Sequence, residues 1–271
     1  MDKESIVKNI FLDVEKLKKL NPLVHNITNF VTIYDCANIV KVIGASPVMT
    51  FEKEEAEDMT SISDSLVINM GTMTSYITSS VELALKKANE KNIPIIFDVC
   101  GNGATEYRNN FVKKIVNNYH IDVIKGNYSE ITKLFTDDVM TKGVDSANVQ
   151  YDMKDIILNL SKKFNDTVFV ATGKKDFIGN SKDLISIDNG IEELSYIVGT
   201  GCMTSSLIGA FLGLKGKVLL EAVSGLVVFE IASELAFEKN KSISNLKNNI
   251  FDEMFNLSEE KILSKIKIDK I

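Results

Sequence analysis

Two predicted strands end in charged side chains that suit phosphate chemistry. Asp98 closes one apolar run and precedes Gly101-Asn102-Gly103, whereas Lys125 closes the next and precedes Gly126-Asn127, with Glu130 three residues further on. Ligands of open parallel sheets bind outside the carboxyl ends of the strands, so both side chains are candidates for a site. A structural interpretation stays open, because Asp98 can cap the next segment and Asn127 with Glu130 matches a capping box, which needs no ligand.

Glycines before a predicted helix give the strongest local signal. Gly199-Thr200-Gly201-Cys202 leads into an apolar stretch over 205–214. Backbone N–H groups at such a helix start, beside the positive end of the helix dipole, can bind an anion. The same dipole would lower the pKa of Cys202. A buried cysteine that only packs a helix start is the common alternative, but it leaves the glycines unexplained.

A hydroxyl completes the set of candidate groups. Thr172-Gly173 follows a further predicted strand, although most such pairs are only turns. A carboxylate for a metal, a cation for phosphate, a hydroxyl and an anion-binding helix start together suit phosphoryl transfer. The sequence contains neither the P-loop pattern G-x-x-x-x-G-K-[ST] nor the protein-kinase signature set, so another kinase scaffold is required.

Alternating strands and helices must position these residues. Short β-rich runs alternate with segments of helical period, which predicts an α/β fold with a mostly parallel sheet covered by helices on both faces. The predicted strands cover residues 46–50, 66–70, 93–99, 123–125 and 167–171. The predicted helices cover residues 34–42, 54–63, 75–91, 111–119, 129–135 and 151–164.

The pattern changes after Thr172. Three short pieces around Phe177, Ile185 and Tyr196 predict antiparallel strands at one edge of the sheet. Helices are then predicted over 203–214, 218–237 and 243–255. No linker, repeat or low-complexity segment interrupts the chain, which predicts a single domain over residues 1–271.

Composition excludes several classes of protein. The chain has 271 residues, 45% of them hydrophobic, and a formal net charge of -6. Arg108 is its one arginine and lysines are scattered, so no nucleic-acid partner is expected. Three distant cysteines and a charged start without a signal peptide predict a cytoplasmic protein. The uncharged stretch over 194–214 contains Gly199 and Gly201, so we expect no membrane span.

The order and spacing of short motifs resemble those of hydroxyethylthiazole kinase, a family of the ribokinase-like superfamily. The resemblance covers about residues 20–237 and is specific as a combination, although each piece is weak. The motifs are Pro22-Leu23-Val24-His25-Asn26-Ile27-Thr28-Asn29, Ala37-Asn38, Gly44-Ala45-Ser46-Pro47-Val48-Met49, Asn69-Met70-Gly71-Thr72, Asp98 with Gly101 to Thr105, Gly126-Asn127 with Glu130-Ile131, Lys142-Gly143-Val144-Asp145, Thr172-Gly173 and Gly199-Thr200-Gly201-Cys202.

The resemblance implies transfer of the γ-phosphoryl group of ATP to the hydroxyl of 4-methyl-5-(2-hydroxyethyl)thiazole. It implies Mg²⁺ as cofactor and a homotrimer with active sites between subunits. Matched motif by motif, the implied substrate-side residues are Met49, Gly199 and a loop with His25 and Asn26; the ATP-side residues are Lys125 and Thr172; the metal-side residues are Asp98 and Glu130. Cys202 stands where related sugar kinases carry an aspartate base, and it is placed to accept the substrate proton.

Three departures from the family pattern keep alternatives open. Lys125 stands where the family usually has arginine, which keeps the charge but loses the bidentate fork. Asp98-Val99-Cys100-Gly101 replaces the usual Asp-Pro-Val-Gly turn, and Ile197-Val198 replaces Val-Thr. The alternatives are another superfamily enzyme, such as a hydratase-repair lyase or a pyrimidine or vitamin kinase, and a thiazole-binding protein with weak catalysis. His25 also has a structural alternative as a residue that fixes its loop.

Overall fold

The computed structural model describes residues 3–141 and 152–271. Its strands are β1 Leu23–Ile27, β2 Ser46–Met49, β3 Ser65–Asn69, β4 Ile95–Asp98, β5 Val123–Asn127, β6 Val168–Thr172, β7 Asp176–Gly179, β8 Leu184–Ile187 and β9 Ile268–Lys270. Its helices are α1 Lys3–Leu20, α2 Ile33–Ile43, α3 Lys53–Ile62, α4 Ser75–Lys91, α5 Glu106–Asn118, α6 Tyr128–Thr141, α7 Met153–Lys163, α8 Thr200–Leu212, α9 Val218–Lys239, α10 Ile243–Phe255 and α11 Glu259–Lys265. A 3₁₀ helix spans Glu192–Tyr196.

The nine strands form one sheet in the order β2-β1-β3-β4-β5-β6-β7-β8-β9. β1 to β6 pair in parallel, and β7, β8 and β9 continue the sheet antiparallel. In the register, Asn69 lies beside Asp98, and Asp98 lies beside Lys125. The carboxyl ends of the parallel strands therefore share one edge, and the predicted α/β fold is confirmed.

Side chains of each strand alternate between two separate hydrophobic cores. Ile96 belongs to the core shared with α1, α2 and α8 to α11, whereas Phe97 belongs to the core shared with α3 to α7. Large fully buried residues such as Phe97 and Phe169 contribute about 1.5–3 kcal/mol each by leaving water. Burial on both faces accounts for the apolar runs that predicted the strands.

Helix α8 is fixed against the middle of the sheet by close packing. A Cβ atom added at Gly209 would lie 2.2 Å from the Val67 side chain, and one at Gly225 would lie 2.7 Å from Ile208. Glycine therefore lets α8 approach β3 and lets α9 approach α8. Since ten of its residues, Met203 to Leu212, are buried, α8 holds its first turn rigidly beside the strand ends.

The structure differs from the sequence prediction at several places. Residues 23–27 form an inner strand of the sheet instead of a loop; its apolar run is interrupted by His25 and Asn26, which hides the strand pattern in the sequence. The piece around Tyr196 is a 3₁₀ helix, and the third antiparallel strand is β9 at the end of the chain. Helix α8 begins at Thr200, three residues earlier than predicted. The Lys142-Gly143-Val144-Asp145 motif lies outside the described residues, as does the start predicted for helix 151–164.

Within 3–141 and 152–271, none of the helices combines the length and the apolar character needed to cross a lipid bilayer.

Candidate active site

A buried ion pair lies where β4 and β5 end. Lys125 Nζ is 3.4 Å from Asp98 Oδ2, and each side chain is only 4% exposed. The two residues are register neighbours and point to the α8 side, as their strand mates Ile96 and Val123 do. Ser205 of α8 donates a hydrogen bond of 2.5 Å to the same Asp98 oxygen. The contacts therefore link two strands and one helix at a single carboxylate.

Anionic neighbours keep Lys125 charged despite its burial. Burial alone lowers the pKa of Lys125, but the charges of Asp98, Cys202 and Glu130 outweigh it and raise that pKa above its usual value. A charged ammonium in a low-dielectric pocket attracts an anion strongly, because water screens it poorly. The position therefore favours a phosphate ligand.

The first turn of α8 reaches this lysine directly. A Cβ atom added at Gly201 would lie 3.4 Å from Lys125 Nζ. Gly199 caps the helix with φ of +95°, and a Cβ there would lie 2.5 Å from the Thr32 methyl group. Gly199 therefore excludes a larger side chain, and Gly201 leaves its backbone uncovered beside the lysine, so the N–H groups of the first turn are accessible next to the cation. Charge and helix dipole together make an anion site.

Cys202 lies on that turn with its sulfur in a polar contact. Asn29 Nδ2 lies 3.3 Å from Cys202 Sγ and donates to it, and it also donates to Asn69 Oδ1 at 3.0 Å. The pKa of Cys202 falls to about 6, first because the Cys100 thiol donates to its sulfur and further because of Lys125. The same contact raises the pKa of Cys100. These contacts favour the thiolate form of Cys202.

Glu130 joins two strand ends through backbone hydrogen bonds. Its carboxylate accepts from the Gly101 N–H and from the Asn127 N–H, both at 2.7 Å. Asn127 Oδ1 in turn accepts from the Glu130 N–H at 3.0 Å, which forms the capping box expected from the sequence. Burial raises the pKa of Glu130. The residue fixes the glycine turn after Asp98 and stands beside the ion pair.

Thr172 borders a cleft that begins at the ion pair. The Thr172 hydroxyl donates to the Gly126 carbonyl at 3.4 Å. The cleft has a volume of about 1030 Å³, and Lys125 and Thr172 line it on the sheet side. Leu226, Phe229 and Glu230 of α9 line the opposite wall. Volumes of this order accommodate nucleotide-sized ligands.

His25 and Asn26 lie apart from this constellation. His25 is fully buried, its Nδ1 lies 2.9 Å from the Thr60 hydroxyl, and its Nε2 lies 2.8 Å from the Thr50 hydroxyl. Burial lowers the pKa of His25 to about 4, so the imidazole is neutral. Asn26 donates to the Val24 carbonyl at 3.0 Å. Met49, at the end of β2, is the register neighbour of Asn26 and is half-buried.

The sequence-predicted residues thus fall into two groups. The structure brings Asp98, Lys125 and Cys202 together around the first turn of α8, with Glu130 and Thr172 at the adjoining strand ends. Gly199 caps that same helix. His25 has both ring nitrogens engaged by threonines on the far side of β1, so its imidazole does not join this group.

Sequence reasoning gave no role to four residues that build the site. Ser205 lies three residues after Cys202, so helical periodicity alone places it on the same face. Asn69 ends β3 as Asp98 ends β4, and the strand-end rule would have found it. Asn29 was only part of a motif. The guanidinium of Arg108 donates to the Met70, Cys100 and Gly71 carbonyls and so ties together the loops after β3 and β4.

Fold and site together define a ribokinase-like protein, and solved structures agree. A ribokinase-like superfamily protein from Enterococcus faecalis, 12% identical, matches with a TM-score of 0.61 over 86% of each chain, which shows the fold alone. A structure described as hydroxyethylthiazole kinase from Pyrococcus horikoshii matches with a TM-score of 0.89 and 33% identity, covering 97% of this chain and 99% of its own.

Sequence comparison identifies the family within that class. Residues 14–260 match the profile of the hydroxyethylthiazole kinase family. Hydroxyethylthiazole kinase of Methanosarcina mazei is 42% identical over 258 residues, which are 95% of this chain and 98% of the relative. The Clostridium tetani protein of the same name is 41% identical, with 94% and 95% covered. The chain belongs to the hydroxyethylthiazole kinase family.

Proposed function

We propose that this protein transfers the γ-phosphoryl group of ATP to the hydroxyl of 4-methyl-5-(2-hydroxyethyl)thiazole, a step of thiazole salvage for thiamine biosynthesis. One observation carries the assignment: the buried Lys125–Asp98 pair stands 3.4 Å apart against the first turn of α8, where Cys202 is held. This arrangement offers an anion site and a proton acceptor side by side. Membership in the family supplies the identity of the alcohol.

ATP occupies the cleft beside β5 and β6 in this proposal. Thr172 lies along the path of the nucleotide, and Lys125 receives its phosphates. The N–H groups of Thr200 to Cys202 then face the charge that develops on the transferred group. Such preorganised donors typically contribute about 10²–10³-fold to a rate, because they need no rearrangement during the reaction.

The carboxylates near the phosphates fit Mg²⁺ as cofactor. The two hydrogen bonds described for Asp98 both end on Oδ2, so Oδ1 is available as a ligand. Both oxygens of Glu130 accept backbone N–H groups, which suits contact through water. Residues 3–141 and 152–271 contain no cluster of three or more metal-binding side chains. Mg²⁺ accepts such a sparse set, since phosphates and waters fill its remaining positions, and it would neutralise phosphate charge.

The thiazole hydroxyl approaches Cys202 in this proposal. A thiolate with a pKa of about 6 can accept the hydroxyl proton, and the hydrogen bond from Asn29 keeps the sulfur in place. Met49 and Gly199 contact the substrate. His25 and Asn26 act on the substrate side indirectly. The His25 imidazole contacts the Thr50 hydroxyl and so holds the chain one residue beyond Met49.

We further propose a cytoplasmic homotrimer with active sites at the subunit interfaces. Two apolar segments near the site are exposed: the first contains Phe30, Val31 and Tyr34, and the second contains Tyr196 and Val198. They adjoin each other, because Gly199 packs against Thr32. Val31 is 70% and Val198 73% exposed, which is unfavourable in water and favours burial against another subunit. Light scattering of the wild type and of Val198→Asp tests the trimer, which the variant should weaken.

Turnover tests the function. Purified protein with ATP, Mg²⁺ and hydroxyethylthiazole should release ADP, whereas omission of any component should abolish release. If ADP formed only with a hydroxymethylpyrimidine, the protein would still be a ribokinase-like kinase, but the thiazole would not be its substrate. Thiazole binding in a thermal-shift assay without ADP release would indicate a binding protein instead of a kinase.

A further inference from the structure

We propose that Glu230 selects adenine nucleotides by accepting a hydrogen bond from the amino group at position 6 of the purine. The inference rests on the proposed function, in that it requires the nucleotide to occupy the cleft between the sheet and α9. It assigns a specificity role to a residue that takes no part in phosphoryl transfer.

Glu230 places a buried carboxyl beside two apolar residues of α9. It is 7% exposed, and its Oε2 accepts no hydrogen bond from the residues that the structure describes. Leu226 and Phe229 lie beside it on α9, and all three line the cleft. Facing it, a Cβ atom added at Gly190 would lie 3.7 Å from the Glu230 carboxyl carbon. Leu226 and Phe229 supply apolar surface on which a planar base can lie, and the Glu230 carboxyl offers a polar contact next to it.

A second buried carboxyl determines which kind of partner Glu230 accepts. Asp176, 2% exposed, accepts from the Gly173 N–H at 2.8 Å and contacts the Glu230 carboxyl. Burial first, and then the contact with Asp176, raises the pKa of Glu230 well above its usual value. Two buried carboxyls in contact do not both ionise, so they hold one proton between them. The contact raises the pKa of Glu230 and acts to lower that of Asp176, so Glu230 carries the proton and donates it to Asp176. The other oxygen of the Glu230 carboxyl is left as a neutral acceptor.

The charged groups around the pair do not change this assignment. Asp188 also lines the cleft and adds negative charge. Glu234, one turn further along α9, accepts from the Gly190 N–H at 3.0 Å and pairs with Lys267 at 3.1 Å. Lys125 stands at the phosphate end of the cleft. A donor from the ligand is therefore the partner that satisfies Glu230.

The spacing of the strands fits a nucleotide held at both ends. Lys125 lies on β5, Thr172 ends β6, and Asp176 begins β7. Two strand spacings, about 10 Å, separate the phosphate position from the carboxyl pair. A purine that lies beyond Thr172 and Gly173 thus meets Glu230. The 6-amino group of adenine donates to the free oxygen, whereas the 6-oxo group of hypoxanthine or guanine would place an acceptor against an acceptor.

Inosine triphosphate tests the inference, because it differs from ATP by a 6-oxo group in place of the 6-amino group. Wild-type protein should prefer ATP over inosine triphosphate in kcat/KM by about 3- to 10-fold, the range for a hydrogen bond between neutral groups. In Glu230→Gln this preference should disappear or reverse, because the amide can donate to the 6-oxo group. Glu238→Gln is the matched control: the same substitution on α9, at an exposed residue paired with Lys265, should leave the ratio unchanged.

Two further measurements keep this inference separate from the turnover assay. Displacement of a fluorescent ATP analogue without thiazole measures nucleotide preference even if no ADP is formed. Absence of turnover would therefore reject the proposed kinase function but leave the selection of adenine by Glu230 testable. Purine riboside triphosphate, which has hydrogen at position 6, should bind the wild type between ATP and inosine triphosphate. Equal binding of the three nucleotides, or an unchanged ratio in folded Glu230→Gln, would overturn the selection by Glu230.

Discussion

Two buried polar regions of this molecule look alike in sequence and differ in what their side chains leave available. The transfer region consists of Asp98, Lys125, Cys202 and Ser205, and its charges are paired but incompletely coordinated. The β1 region consists of His25, Thr50 and Thr60, and both imidazole nitrogens are occupied by neutral hydroxyls. A residue prepared for a ligand keeps a free atom or an excess charge, whereas a structural polar residue is saturated by its neighbours.

The largest expected effect is loss of the carboxylate in the transfer region. Asp98→Ala should lower kcat by about 10³-fold or more, because it removes a metal ligand and leaves Lys125 buried without its main counter-charge. Steady-state ADP release measures the effect, with a circular dichroism check of the fold. Asp183→Ala is the control, since that surface aspartate pairs with Lys270 far from the site. A smaller loss than in Cys202→Ala would remove Asp98 from the metal role.

In the β1 region the expected effect is on stability instead of rate. The pKa of His25 is about 4 in the folded protein and about 6.5 when unfolded, so the unfolded state binds the proton more tightly. The resulting stabilisation is complete above pH 6.5 and is lost as the pH falls toward 4, by about 3 kcal/mol in total. Urea unfolding at pH 7.5 and 4.5 should show a smaller loss in His25→Gln than in the wild type.

His120 provides the control for that experiment. It is the other histidine, it is exposed on the surface, and its pKa is raised by the hydrogen bond to Asp122. His120→Gln should therefore leave the large acid-induced loss of stability in place. Equal pH dependence in His25→Gln and the wild type would mean that the buried imidazole is not the group that titrates.

The contrast also explains which features the sequence could predict. Apolar runs predicted β3, β4 and β6 within a few residues, because a strand buried on both faces must be apolar. The sequence does not predict β1, because His25 interrupts its apolar run and the partners of the imidazole come from distant elements: Thr60 lies 35 residues after His25. Strand-end rules placed Asp98 and Lys125 together, but no local pattern shows that Asn29 reaches Cys202 across 173 residues.

A moderate effect is expected at the sulfur of the transfer region. Cys202→Ala should keep measurable activity, with kcat lowered about 10- to 100-fold, because positioning and charge neutralisation supply most of the catalysis. The wild-type rate should fall as the pH drops through about 6, since the thiolate that accepts the proton is lost. Cys202→Ala should lack this limb of the pH–rate profile. Cys202→Asp, which restores a base, should be at least as active as the wild type, and an inactive folded variant would refute the role.

The smallest expected effect concerns the hydroxyl that orients Asp98. Ser205→Ala removes one of the two hydrogen bonds on Asp98 Oδ2, but Lys125 still holds that oxygen. The loss should cost about 1 kcal/mol, seen as a roughly fivefold decrease in kcat with an unchanged KM for the thiazole. Ser206→Ala is the matched control, because Ser206 is also buried but lies about 100° around α8. Equal losses in the two variants would mean that helix packing, and not the orientation of Asp98, is what the serine provides.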